Sequence, residues 1–186
     1  MTEFAVKRLS AVEIAPNRSH QHELNADSLR RGLGFSEGRT EGALSILYYT
    51  KPDVEPLLLE GDFTLYDSRA AHPTRTEYRL YYRLPGLLEV AEPGDLMVLC
   101  RESGTDAING VIARIGTPME RQLEELLKVG DKDALRRLVV RTPEGQVHGD
   151  AGAWINTLAP AATVSPLVTA VRAHRLFDLA VTGEGI

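Results

Sequence analysis

Short apolar runs separated by turn signals, with helical periodicity gathering late in the chain, predict a mainly β protein with peripheral helices concentrated in its C-terminal third. Two strands and one helix carry most of that expectation. TEYRLYYRL alternates, setting Tyr78, Leu80 and Tyr82 on one face and Glu77, Arg79, Tyr81 and Arg83 on the other, and the first set is expected to face inward. LMVLCRE is the most apolar strand-like run and is expected at the centre of a sheet. TPMERQLEELLK has Thr117 as N-cap, Pro118 in the first turn, and Leu123, Leu126 and Leu127 on one stripe, which predicts a helix ending before Gly130.

The remaining elements follow in chain order. EFAVKRLSAVEI, residues Glu3 to Ile14, scatters Phe4, Val6, Leu9 and Val12 among polar residues and predicts a strand with room for a bulge. Pro16 and Asn17 turn the chain, and NADSLRRGLGF predicts a short helix between Asn25 as cap and Gly32 as stop. FSEGRTEG is a loop by composition, and ALSILYYT is strand-like. Leu57 to Leu59 and Phe63 to Tyr66 read as two short strands divided by a turn at Gly61 and Asp62. Pro85 and Gly86 end the tyrosine-rich strand, and EPGD forms a turn. INGVIARIG is ambiguous by period, and its β-branched residues favour a strand. DKDALRRLVV is expected to form a second late helix, and SPLVTAVRAHRLFDLAV a third, capped by Ser165.

Composition bounds the function classes. The chain of 186 residues is 43% hydrophobic and 25% charged, which suits a globular domain able to bury a core without metals or disulfides. No apolar run is long enough for a helical membrane span, and MTEFAVKRL lacks the continuous apolar stretch of a secretory signal, so a cytoplasmic location is expected. The lone Cys100 lies in DLMVLC and is expected to pack in the core. A net charge of -5 argues against nonspecific coating of nucleic acid but leaves room for a local basic face.

Catalytic motifs are incomplete. His20 and His22 form an HxH step of the kind that begins many β-sheet metal sites, yet His72, His148 and His174 are scattered and supply no patterned third ligand. The alternative is a pair of polar surface histidines near a loop. Pro52 and Asp53 form the one PD step, and neither Glu60 nor Asp62 has a lysine two residues on, so a metal-dependent nuclease constellation is not completed. The chain has no GxxxxGK(S/T), GxSxG or HExxH motif. It is therefore expected not to be an enzyme by itself.

Two polar stretches remain. KRLSAVEIAPNRSHQH and YDSRAAHPTRTEYRLYYR are both rich in the Arg, Asn, Gln, Ser and Thr side chains that contact base edges and phosphates. The second is locally basic. The rival explanation is a solvated hairpin edge whose charges block aggregation. A small metal-dependent β-barrel enzyme built on His20 and His22, or a protein-interaction module presenting Tyr78 to Tyr82, are the alternatives from other classes.

The order KRLSA, a loop ending in HQ, YDSR and a TR-E-R strand resembles the N-terminal effector-binding domain of the EcoRII restriction endonuclease, where the corresponding runs are KRLSA, GGHQ, YNSR and TRNEKR. The resemblance continues into VLCRES and covers roughly residues 4 to 115. It implies a DNA-binding pseudobarrel, similar to the plant B-three transcription-factor domains, whose two arms clasp the major groove and read a site such as CCWGG. One arm would comprise Lys7, Arg8, Ser10 and the loop of Asn17, Arg18, Ser19, His20, Gln21 and His22. The other would comprise Tyr66, Asp67, Ser68 and Arg69 with Thr74, Arg75, Thr76, Glu77, Tyr78 and Arg79. On this view the histidine loop faces DNA rather than metal. Tyr78 stands where the family has lysine, and Arg18 and Ser19 replace its glycines, so the bases read could differ. The resemblance further implies residues 1–160 as the DNA-binding domain and 161–186 as a helical extension leading to a nuclease domain in the full-length protein. DNA binding would need no cofactor, and magnesium would serve only that nuclease.

Overall fold

The computed structural model describes residues 3–14, 22–52, 54–101, 104–127, 129, 135 and 139–141. The protein is mainly β. Its strands are β1 (Phe4–Arg8), β2 (Glu23–Asn25), β3 (Thr40–Tyr49), β4 (Leu57–Asp67), β5 (Tyr78–Arg83), β6 (Leu96–Arg101), β7 (Ile108–Ala113) and β8 (Val139–Arg141). Among the described residues, four short helices accompany them: α1 (Ala11–Ile14), α2 (Asp27–Gly32), α3 (Leu87–Val90) and α4 (Pro118–Leu126).

All eight strands join one sheet in the order β2-β5-β4-β3-β7-β6-β1-β8. Every neighbouring pair is antiparallel except β3 with β7. Helix α2 touches β5 near one edge of the sheet and both β1 and β8 at the other. The sheet must therefore curl for one six-residue helix to reach both sides, and α2 fills the seam of an incomplete barrel.

Side-chain parity explains the core. On β5, Tyr78, Leu80 and Tyr82 point inward as their alternation predicts, and Leu80 lies between Leu24 of β2 and Leu65 of β4 in an apolar row. Strand β6 is buried on both faces. Met97 and Leu99 join the barrel interior, whereas Leu96, Val98 and Cys100 meet Leu123 and Leu127 beneath α4. That double burial is why the run is continuously apolar and why Cys100 is a core residue, its thiol donating to the Asn109 carbonyl.

Helix α4 begins as its sequence predicts. The Thr117 hydroxyl accepts from the Glu120 N–H, and the Glu120 carboxylate reaches back to the Gly116 N–H at 2.5 Å. Arg8 then ties this helix to β1, pairing with Glu120 at 2.7 Å and with Glu124, and donating to the Gly94 carbonyl at 2.6 Å.

Several boundaries differ from expectation. The predicted bulged strand stops at Arg8, and Ser10 and Glu13 cap a turn of helix instead, with the Ser10 N–H donating to the Glu13 carboxylate. Strand β3 begins inside the expected loop, at Thr40. Ala26 rather than Asn25 caps α2, because Asn25 is already paired with Arg79 in the sheet. The two strands expected around Gly61 are one eleven-residue strand. Gly61 is not a turn but a close approach, since a Cβ there would lie 1.9 Å from the Arg83 carbonyl oxygen. Val139 and Val140, expected at the end of a helix, pair with β1. The expected helix from Ser165 lies outside the described residues, as does most of the C-terminal third.

A candidate nucleic-acid interface on the outer sheet face

Because β4 is continuous, its outward residues align with those of its neighbours. Glu23, Tyr81, Thr64 and Glu41 form one row across β2, β5, β4 and β3. Asn25, Arg79 and Tyr66 form the next, and Arg83 pairs with Asp62 on the other side. Glu23, Glu41, Asp62, Thr64, Tyr66, Tyr81 and Arg83, together with Arg39 and Gly42, shape an open groove of about 680 Å³. Sequence reading alone missed Glu23, Arg39, Glu41, Asp62, Thr64 and Tyr81. Splitting β4 at Gly61 had broken the parity that places Asp62, Thr64 and Tyr66 on one face.

The hairpin between β4 and β5 stands at one end of this face. Its tip, Ser68 to Thr76, is exposed, and its base is closed by a dense set of hydrogen bonds. Asp67 Oδ1 accepts from the Arg69 N–H at 2.9 Å and the Glu77 N–H at 2.8 Å, and the Ser68 N–H and hydroxyl both donate to the Glu77 carbonyl at 2.9 Å. These amide donors hold the Asp67 carboxyl below its ordinary range. Glu77 bridges two arginines, Arg69 at 2.6 Å and Arg79, which likewise hold its carboxyl low. The exposed Arg75 makes no ion pair among the described residues, so its guanidinium is available to a ligand.

Tyr78 departs from this surface. It is 7% exposed, packs in the barrel interior and carries the Arg30 guanidinium 4.5 Å above its ring. Tyr82 is also internal, with its hydroxyl donating to the Glu13 carbonyl and its phenol pushed upward by burial. Tyr81 alone of the three tyrosines in this strand lies on the outer face, so they form no continuous patch.

The first stretch divides. Lys7 and Arg8 are 5% and 7% exposed, Lys7 pairing with Glu13 at 3.1 Å and Arg8 with the glutamates of α4. Both belong to internal ion pairs, Lys7 with Glu13 of α1 on one face of β1 and Arg8 with α4 on the other, and both are withdrawn from the DNA-contacting arm in which they were expected. Ser10 is exposed beside α1. Asn17, Arg18, Ser19, His20 and Gln21 lie outside the described residues. His22 follows them directly. Its carbonyl accepts from the Tyr82 N–H at 3.0 Å, and its ring centroid is 5.9 Å from that of Tyr82.

His22 thus marks the end of β5 opposite the Ser68 to Thr76 hairpin. Along β5, the four residue steps from Tyr78 at the base of the hairpin to Tyr82 opposite His22 put the two places about 14 Å apart. Arg83 pairs with Asp62 at 2.8 Å and Arg39 with Glu41 at 2.7 Å, so much of the positive charge on the face is matched by carboxylate. Tyr66 donates to Glu23, which pushes its phenol above the ordinary range. Among the described residues, no three His, Cys, Asp or Glu converge as metal ligands, and no helix is long and apolar enough to cross a membrane. The chain matches no family model, no curated protein and no solved structure.

Proposed function

We propose that this chain is a sequence-specific reader of double-stranded DNA, the target-recognition or effector domain of a restriction endonuclease, gripping the major groove between two arms. The observation that carries the reading is the arrangement around β5. The Ser68 to Thr76 hairpin rises at one end and His22 lies at the other, with a polar sheet face between them. A span of about 14 Å is comparable with the roughly 12 Å width of a major groove. Arg75 and Arg79 are the candidates for guanine edges, Glu77 for a cytosine amino group, and Arg69, Ser68, Thr74 and Thr76 for the backbone.

The chain itself does no chemistry on this reading. Its partners are duplex DNA and a nuclease domain in a longer protein, its location is cytoplasmic, and magnesium belongs to the nuclease. Residues 1–160 serve as the reading domain and 161–186 as the extension.

The test is an anisotropy titration of the purified chain against a CCWGG duplex and a scrambled control, without metal, at two salt concentrations. A preference for the CCWGG duplex supports both the function and the site named by the resemblance. Equal weak binding to both sends the protein to selection from random duplexes, and failure to enrich any sequence there overturns the reading.

A further inference from the structure

The groove on the outer sheet face has the wrong charge for a phosphate seat. Its charged lining comprises Glu23, Glu41 and Asp62 against Arg39 and Arg83, and each arginine already pairs with a carboxylate of the same groove. A phosphate entering it would meet net negative charge and compete with both ion pairs. Groups that donate hydrogen bonds fit better. Glu23 spends one oxygen on the Tyr66 hydroxyl and keeps lone pairs to accept from a ligand. The Tyr81 and Thr64 hydroxyls beside it, in register across three strands, make no side-chain hydrogen bond to the described residues.

We propose that this row, Glu23, Tyr81 and Thr64, is a further base-reading floor that accepts hydrogen bonds from exocyclic amino groups, cytosine N4 foremost, in addition to the base contacts of Arg75, Arg79 and Glu77. Carboxylates accept from cytosine N4 in the major groove and repel phosphate, so the floor adds discrimination without adding nonspecific affinity. The inference rests on the DNA-reading function above, and its ligand is the base edge rather than the sugar-phosphate chain.

The test compares the intact chain with its Glu23→Gln and Tyr81→Phe variants on the preferred duplex, on a scrambled duplex, and on the preferred duplex carrying N4-methylcytosine. That methyl group replaces the N4 hydrogen facing the major groove and leaves base pairing possible. The expected result is at least about fivefold weaker binding of the methylated duplex by the unaltered chain. Glu23→Gln should shrink that gap, with no loss on the scrambled duplex and an unchanged salt slope. An identical methylation gap in all three proteins, or indifference of the unaltered chain to the methyl group, would overturn the floor while leaving the two-arm reading intact. Absence of any sequence preference in the unaltered chain would instead sink the reading itself, and the floor with it. Circular dichroism of each variant separates loss of folding from loss of contact.

Discussion

Asp67 shows how one side chain can shape a surface through backbone contacts alone. Its carboxylate closes the base of the hairpin by accepting from two amides, and its negative charge is incidental to that geometry. Asp67→Asn retains the accepting oxygen and should leave the Arg69 and Glu77 amides slow to exchange, whereas Asp67→Ala should expose both to fast hydrogen exchange. Equal protection in the two variants would remove Asp67 from this role. The pH dependence follows from the same contacts. Asp67 and Glu77 have folded-state pKa values depressed below their unfolded ones, so their contribution is complete above the ordinary carboxylate range and is lost as pH falls through the depressed values. Amide exchange across the hairpin should therefore be insensitive to pH-linked opening near neutrality and should show arm opening only on strong acidification. Arg75 is predicted on different grounds. If it reads a base, Arg75→Ala costs about 1–3 kcal/mol of binding and relaxes discrimination at one position, whereas a uniform loss with a salt slope reduced by about one identifies a phosphate contact.

At the scale of elements, the groove depends on β4 running unbroken past Gly61. Any side chain at that position would collide with the Arg83 carbonyl, forcing β5 away and shifting Asp62, Thr64 and Tyr66 relative to Tyr81 and Arg83. Gly61→Val should lower the melting temperature and weaken DNA binding together, while Gly38, with open space around it but a φ of 106°, is a control for backbone strain alone. A Gly61→Val protein that melts and binds as the parent does would show that β5 can yield. The inward face of β5 was legible in the sequence through the alternation of Tyr78, Leu80 and Tyr82. Continuity of β4 was not, because a glycine followed by an aspartate is a turn signal locally and a close strand approach only when a particular neighbour lies alongside.

Across the whole molecule, two buried polar clusters hold the curled sheet and its helices in place. Arg8 links β1 to α4 through Glu120, which is 1% exposed. Asp95, with no exposure, accepts from the Tyr48 hydroxyl at 2.7 Å, the Glu92 N–H at 2.8 Å and the Ile115 N–H at 3.0 Å, while Arg114 donates to Tyr48 from the surface side. Burial and the Asp95 hydrogen bond push the Tyr48 phenol well above its ordinary range, so it stays a neutral donor. Arg8→Met strands a buried glutamate and should cost about 3–5 kcal/mol, read by urea unfolding. Tyr48→Phe removes one of the donors to Asp95 and the hydroxyl that accepts from Arg114, and should cost about 1–3 kcal/mol by the same measurement. A loss below that range in either variant would mean that the remaining partners rearrange to satisfy the abandoned group.

The sequence by itself determined the β class, the inward face of β5, the double burial of β6 and the capped start of α4. These follow from local periodicity and from hydrogen bonds spanning a few residues, which a linear reading contains. Tertiary structure alone decided that Lys7 and Arg8 are internal, and that Glu23, Tyr81, Thr64 and Glu41 share a row. A lysine or arginine reads as exposed until a glutamate 116 residues away in the chain is brought against it, as Glu124 is against Arg8. Rows across a sheet exist only once strand order and register are set, and those are fixed by pairing between distant segments rather than by any segment's own pattern.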